Sequence, residues 1–453
     1  MANIRQLQNA HQALGMNPTP RVARNDAESD TGGSLEVLGR TDVIAQAVFP
    51  ASKGVARAIH ITHVLASISP STGGPATVTA RLAAAQAARG HRVTIISSLH
   101  TSSRRDFDRS TARIPGFERV HLLLSPWITP LRRWFGMRLH PLYEMVVPFS
   151  DVMHLHGVWE PMLVFAAACA RRHNIPYILR PCGMLEPWNL QQRAWKKRVA
   201  LALTHRKMLN GAAFLHTLNE DEYRFTGPLR LRPPQLVIPN AVFLDEVDDD
   251  SGEEEFKVRF RHLRGKPCIL FLGRAHYKKG LDLLAEAFAA IAPRHPTAQL
   301  LVVGPDGGSL GDFMHRIENH KLSDRVHTPG SLYGAVKFAA YRSATCFALP
   351  SRQEGFSLAI TEALATGTPV AISENCHFPE VATAGAGKVT PLTVEATAAA
   401  LDEILSASPE ERQKMGDAGR QLVERNYTWD RVAELTLNAY ASVMPGVASR
   451  VGR

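Results

Sequence analysis

An alternation of strand-like and helix-like runs, repeated in two separate stretches, constrains this chain most strongly. The first stretch opens with Ile59–Leu65, a short β-rich run, followed by turn-forming residues from Ser67 to Pro75. An alanine-rich helix over Ala76–Arg89 follows, stopped by Gly90, and Arg92–Ser97 is again strand-like. A βαβ unit of this kind implies a parallel sheet with helices packed on its faces. The pattern continues with strands at Asp151–His156, Pro176–Arg180, Ala212–Leu218 and Gln235–Pro239 and a helix at Pro161–His173. A second series begins at Cys268–Gly273. Helices at Leu281–Ile291, Gly311–His320 and Phe356–Ala365 there alternate with strands at Gln299–Val303, Thr345–Leu349 and Pro369–Ile372. The expected fold class is α/β, with two doubly wound domains over 58–240 and 266–427. Ligands of such sheets bind outside the carboxyl ends of the strands.

The remaining segments have other compositions. Residues 1–57 are polar and lack periodicity, and read as a disordered extension. Residues 241–265 contain Asp245, Glu246, Asp248, Asp249, Asp250, Glu253, Glu254 and Glu255, and read as a solvated linker or insertion. Over 428–453, Val432, Leu435, Ala439, Tyr440 and Val443 line one face of a terminal helix, a candidate to pack back across the domain boundary.

With 453 residues, of which 45% are apolar, the chain has enough material for two cores and is no small disulfide scaffold. Residues 58–240 carry 23 basic and 10 acidic side chains, and residues 241–453 carry 23 and 27. The first half thus carries +13 and the second −4, within a net charge of +10, which points to an anionic partner for the first half. Cys169, Cys182, Cys268, Cys346 and Cys376 form no metal-type pair, and their odd number suits a reducing compartment. Neither a signal-peptide core nor a run of membrane-spanning length is present in the sequence, so a cytoplasmic protein is expected.

The stretch from Pro350 to Val370 carries the most specific chemistry. It places a strand end, the turn Glu354-Gly355-Phe356-Ser357 and a helix start in succession, with Glu362 eight residues beyond Glu354. A helix N-terminus presents free N–H groups to an anionic or hydroxyl-rich ligand. Glu354 is placed to accept hydrogen bonds from sugar hydroxyls, and Glu362 to reach a second group such as ribose. In Gly273-Arg274-Ala275-His276-Tyr277-Lys278-Lys279-Gly280, two cations on a turn suit a diphosphate that gains charge as its bond to a sugar breaks. Ser71-Thr72-Gly73-Gly74-Pro75 allows close backbone approach at the end of the first strand, without the G-K-[ST] of a phosphate-cradling Walker loop. In His154-Leu155-His156-Gly157, alternation puts both imidazoles on one side of a strand, and no third metal ligand is evident.

Together these stretches resemble the retaining GT-B glycosyltransferases of family 4 over roughly residues 58–445. The resemblance implies two Rossmann-like domains facing across a cleft. It implies catalytic roles for Glu354, Arg274, Lys279 and His156, and donor contacts from Gly73, Gly74, Gly304, Gly355, Phe356, Ser357 and Glu362. It implies a nucleotide-diphosphate sugar as co-substrate, no cofactor or metal, and a glycan or lipid-linked acceptor. The run from Arg180 to Trp188 with Trp195-Lys196-Lys197-Arg198 is similar to members acting in exopolysaccharide or cell-surface glycan assembly. Across residues 188–207, a stripe of Trp195, Val199, Ala202 and Leu203 amid basic residues suits either an anionic membrane surface or the protein core. Two other readings stay open: a nucleotide-sugar epimerase of the same fold and a catalytically silent glycan- or nucleotide-binding protein. The D-x-D candidates Asp106-Phe107-Asp108 and Asp248-Asp249-Asp250 lie in unsuitable surroundings, and no nucleic-acid platform is present.

Overall fold

The computed structural model describes residues 58–69, 74–99, 104–126 and 140–444. The 1–57 extension and Gly73 lie outside the described residues. Among the described residues, thirteen strands form two parallel sheets. In the first, β1 (His60–Ser67), β2 (Arg92–Leu99), β3 (His121–Pro126), β4 (Val152–His156), β5 (Tyr177–Arg180), β6 (Phe214–Thr217) and β7 (Gln235–Val237) lie in the order β3-β2-β1-β4-β5-β6-β7. In the second, β8 (Cys268–Leu272), β9 (Gln299–Val303), β10 (Val326–Gly330), β11 (Cys346–Leu349), β12 (Val370–Ser373) and β13 (Gly387–Thr390) lie in the order β10-β9-β8-β11-β12-β13.

Each sheet reverses its winding once, between β1 and β4 and between β8 and β11, and these are the crevices in which doubly wound sheets bind ligands. The interior strands β4, β9 and β11 are buried along their length and β1 as far as Leu65, as helices on both faces require. Strands β3, β10 and β13, which the sequence pattern did not mark, lie at sheet edges. An edge strand needs less apolar surface, and Val326-His327-Thr328-Pro329-Gly330 and Gly387-Lys388-Val389-Thr390 carry little of it.

The acidic segment departs from the expected linker. Its backbone forms two short helices, Leu244–Val247 and Glu253–Arg259, and Val247, Phe256, Phe260 and Leu263 are buried in the core of the second domain. These apolar side chains anchor the segment while most of its acids stay in solvent; the half-buried Glu246 and Glu253 pair with Arg81 and Arg342, and the exposed Asp248 with Arg420, each at 2.6 Å. Asp248-Asp249-Asp250 is therefore a structural segment, and Asp108 of the other D-x-D candidate pairs with Arg104 on its own helix.

The terminal helix Trp429–Val443 packs on the helix Gly74–Ala88, with Trp429, Val432, Ala433, Ala439 and Tyr440 in the first domain's core. The two segments crossing between domains run side by side, Val242 N donating to Tyr427 O and Trp429 N to Val242 O.

Candidate active site

At the second switch point the chain leaves β8 through Gly273 and turns through Tyr277–Lys279 into the helix Leu281–Ile291. Gly280 has φ +69°, and a Cβ there would stand 1.9 Å from the carbonyl oxygen of Pro350, at the end of β11. Only glycine lets this turn lie so close to the neighbouring loop. Lys279 Nζ then donates to Glu354 Oε1 at 2.6 Å, and Ser351 Oγ donates to the same oxygen at 2.6 Å. Arg352 ties the two loops further, its backbone N–H on Lys278 O and its guanidinium bidentate on Asp282 at 2.6 and 2.7 Å. Glu354 Oε2 has no protein hydrogen bond among the described residues.

Arg274 folds against Gly307, where a Cβ would stand 2.8 Å from its Cγ, so the Gly304–Gly307 loop makes room for the guanidinium stem. Gly304 directly follows β9, its N–H bonded to Gly330 O. Phe356 packs inward against Phe378 and Tyr427. Ser357 precedes the helix Leu358–Ala365 without capping it by its side chain, which leaves first-turn N–H groups for a ligand. Gly74 opens the helix after β1.

Glu362 is buried inside that helix, its carboxylate held by Lys337 at 2.7 Å and Tyr341 at 3.1 Å. Neither partner belongs to a motif. They come from the helix Gly334–Ser343, and no spacing in the sequence marks them.

His156 ends β4, at the switch point of the first sheet. It sits in a buried imidazole cluster with His154 and with His63 and His216, which the sequence did not single out. Hydrogen bonds run from Ile238 O through His216, His154 and Tyr440 to Gln86, and on through His63 to His156. Burial lowers the pKa of all four imidazoles, that of His63 to about 4, so the chain is neutral. Ring nitrogens of His63, His154 and His156 lie within 4.8 Å of one another, close enough for shared ligation of an ion. Five of those six nitrogens already have hydrogen-bond partners, and the Arg180 charge beside the cluster opposes a cation.

The domains touch over the Glu354 loop. Asn219 caps the helix Glu220–Thr226 with its side-chain oxygen and donates through Nδ2 to Gly355 O at 2.7 Å. His377 meets Asp221 at 2.7 Å, and Lys278 Nζ sits 3.8 Å above the Trp188 ring. Gln353 Nε2 donates to Glu186 Oε2. A cavity of about 220 Å³ remains between the domains, lined by Cys182, Gly183 and Glu186 on one side and Lys279, Gln353 and Glu354 on the other. Its lining brings Lys279 and Glu354 together and includes neither Arg274, Glu362 nor His156.

Residues 252–422 match the family described as glycosyl transferases group 1, and residues 73–241 match the glycosyl transferase 4-like domain. An uncharacterized glycosyltransferase of Methanocaldococcus jannaschii is 30% identical over 215 residues, 46% of this chain and 54% of that protein. The lipopolysaccharide core biosynthesis mannosyltransferase LpsB of Rhizobium meliloti is 26% identical over 221 residues, 46% of this chain and 62% of that protein. The chain thus spans about half the length of the curated relatives it matches. Among solved structures, Anabaena HepE in complex with UDP and glucose superposes with a TM-score of 0.67 at 16% identity, covering 85% of this chain and all of that one. The likeness shows the fold.

Proposed function

Because this chain belongs to the group 1 glycosyltransferases, with the retaining GT-B fold, we propose that it transfers a hexose from a nucleoside diphosphate sugar to an acceptor hydroxyl with retention of configuration. The observation that carries the reading is the Lys279–Glu354 pair, set where β8 and β11 part and bordering an interdomain cavity. Lys279 and Arg274 neutralise the departing diphosphate, and fixed cations in a site closed to water stabilise charge developing there. Glu354 and the backbone from Gly355 to Ser357 orient the sugar, and Glu362 receives the ribose. Retention is served by attack from the leaving-group side, a donor phosphate oxygen taking the acceptor's proton, so that no protein base is required.

The acceptor is a glycan or lipid-linked sugar met at an anionic membrane surface, in exopolysaccharide or cell-surface polysaccharide synthesis. Three apolar side chains of the helical stretch Ala194–Asn210 support this: Trp195 is 68% exposed, Val199 49% and Leu203 75%. Between residues 187 and 219 the chain has six basic side chains and no acidic one. Among the described residues, no helix is long and apolar enough to cross a membrane, so the contact would be peripheral.

The test is a thermal-shift screen of UDP-, GDP- and ADP-hexoses, followed by product analysis with labelled donor. Transfer of label to an acceptor with the anomeric configuration kept is the expected result. Release of an epimerised nucleotide sugar, or binding without turnover across an acceptor panel, would overturn it.

A further inference from the structure

We propose that Glu186 is a sugar-binding residue supplied by the first domain, receiving a hydroxyl of the transferred hexose on the side of the cavity opposite Glu354. The inference rests on the nucleotide-sugar reading and extends it: half of the sugar site belongs to the domain that does not hold the nucleotide.

Glu186 is 3% exposed, yet it borders the interdomain cavity. One carboxyl oxygen, Oε2, accepts from Gln353 of the second domain. The other, Oε1, has no protein hydrogen bond among the described residues. It lies between two glycines, one from each domain. A Cβ on Gly183 would stand 2.9 Å from Oε1, and one on Gly355 3.6 Å away. Where Glu186 borders the cavity, a ligand hydroxyl can fill this open acceptor position.

The carboxyl is also held in place. It precedes the short helix Pro187–Gln191, and the Gly183 turn behind it is fixed by a 2.5 Å hydrogen bond from Gly183 N to Glu222 Oε1. Glu222, Glu354, Lys278 and Lys279 are the charged groups around it. Burial raises its pKa to about 7, with Glu222 and Glu354 adding to the rise and Gln353 and Lys278 opposing it. Near neutrality it therefore exists as both carboxylic acid and carboxylate. The acid form donates to a sugar oxygen and adds no negative charge beside the donor's phosphates.

The experiment titrates the full chain with UDP, GDP and ADP and with the corresponding glucose and mannose diphosphates, comparing wild type with Glu186→Ala, Glu186→Gln and Gln353→Ala. Glu186→Ala is expected to weaken nucleotide-sugar binding by about tenfold while leaving the free nucleotide within about twofold. Glu186→Gln should retain sugar binding to within about threefold at pH 6.5, because the amide also donates and accepts. Wild-type sugar binding should weaken between pH 6 and 8.5, and the Gln variant should lose that dependence. If Glu186 served only as a latch for Gln353, Gln353→Ala would match Glu186→Ala, and the assignment would fall. It would fall equally if Glu186→Ala bound nucleotide sugar as wild type does, or lost free nucleotide to the same extent. Wild-type protein binding none of the panel would overturn the nucleotide-sugar reading, and this one with it.

Discussion

Lys279 and Glu354 lie 75 residues apart in sequence and 2.6 Å apart in space, so one ion pair joins the basic turn after β8 to the acidic loop after β11. The lysine both borders the interdomain cavity and fixes the acid beside it. Lys279→Ala is expected to lower the initial rate of sugar transfer by about 10²–10³-fold. Ser351→Ala removes only a second hydrogen bond to the same oxygen and should cost less than about tenfold. Equal losses in the two variants would show that the pair acts structurally.

Glu362 separates binding from stability in a similar way. Tyr341→Phe deletes one neutral donor to a buried carboxylate and should reduce unfolding free energy by about 1–3 kcal/mol, with nucleotide affinity kept to within about threefold. Glu362→Gln should weaken nucleotide binding by about tenfold in the same titration. Unaltered binding in Glu362→Gln would remove the ribose role.

Gly280 admits no side chain. Gly280→Ala would combine a left-handed backbone with a Cβ placed 1.9 Å from Pro350 O, so the loops must separate. A loss of more than about 2 kcal/mol in stability is expected from urea unfolding. Because the same contact positions Lys279, transfer should fall even in the fraction that remains folded.

The four buried imidazoles predict acid sensitivity. Their folded pKa values are depressed, that of His63 to about 4 from 6.5, so the unfolded chain binds more protons below pH 6.5. Stability is fully present above pH 6.5 and is lost as pH falls toward 4, at up to about 1.4 kcal/mol per pH unit for each imidazole kept neutral. Urea midpoints from pH 7.5 to 5 test this, and a His216→Phe variant should show a shallower slope. A flat wild-type profile would contradict it.

Membrane contact is testable with vesicles. Sedimentation with phosphatidylglycerol vesicles should exceed that with phosphatidylcholine, weaken at high salt and drop in Trp195→Glu with Leu203→Glu. Binding that ignores lipid charge and both substitutions would leave the exposed stripe without that role.

Much of this arrangement is legible in the sequence, because its signals are local. The turn and helix around Glu354 and the cations at Arg274 and Lys279 follow strands whose apolar runs mark them. Lys337 and Tyr341 carry no such mark, since they meet Glu362 through folding alone, and the run from Arg180 to Trp188 does not by itself set Glu186 beside Gln353. The partner of His156 is equally hidden from the sequence: its hydrogen bond to His63 on the adjacent strand forms only through the sheet. Most acids of the run from Asp245 to Glu255 are exposed, as their type suggests, and what the sequence hides is their arginine partners, distant along the chain.

The return of the helix Trp429–Val443 to the first domain bears on how the chain is made. The first domain is the earlier to leave the ribosome, yet its core includes Trp429, Val432 and Tyr440. Until those residues emerge, the apolar surface that they cover on the helix Gly74–Ala88 stands open, and the entire second domain can fold in the interval. The domain synthesised first is thus the one completed last.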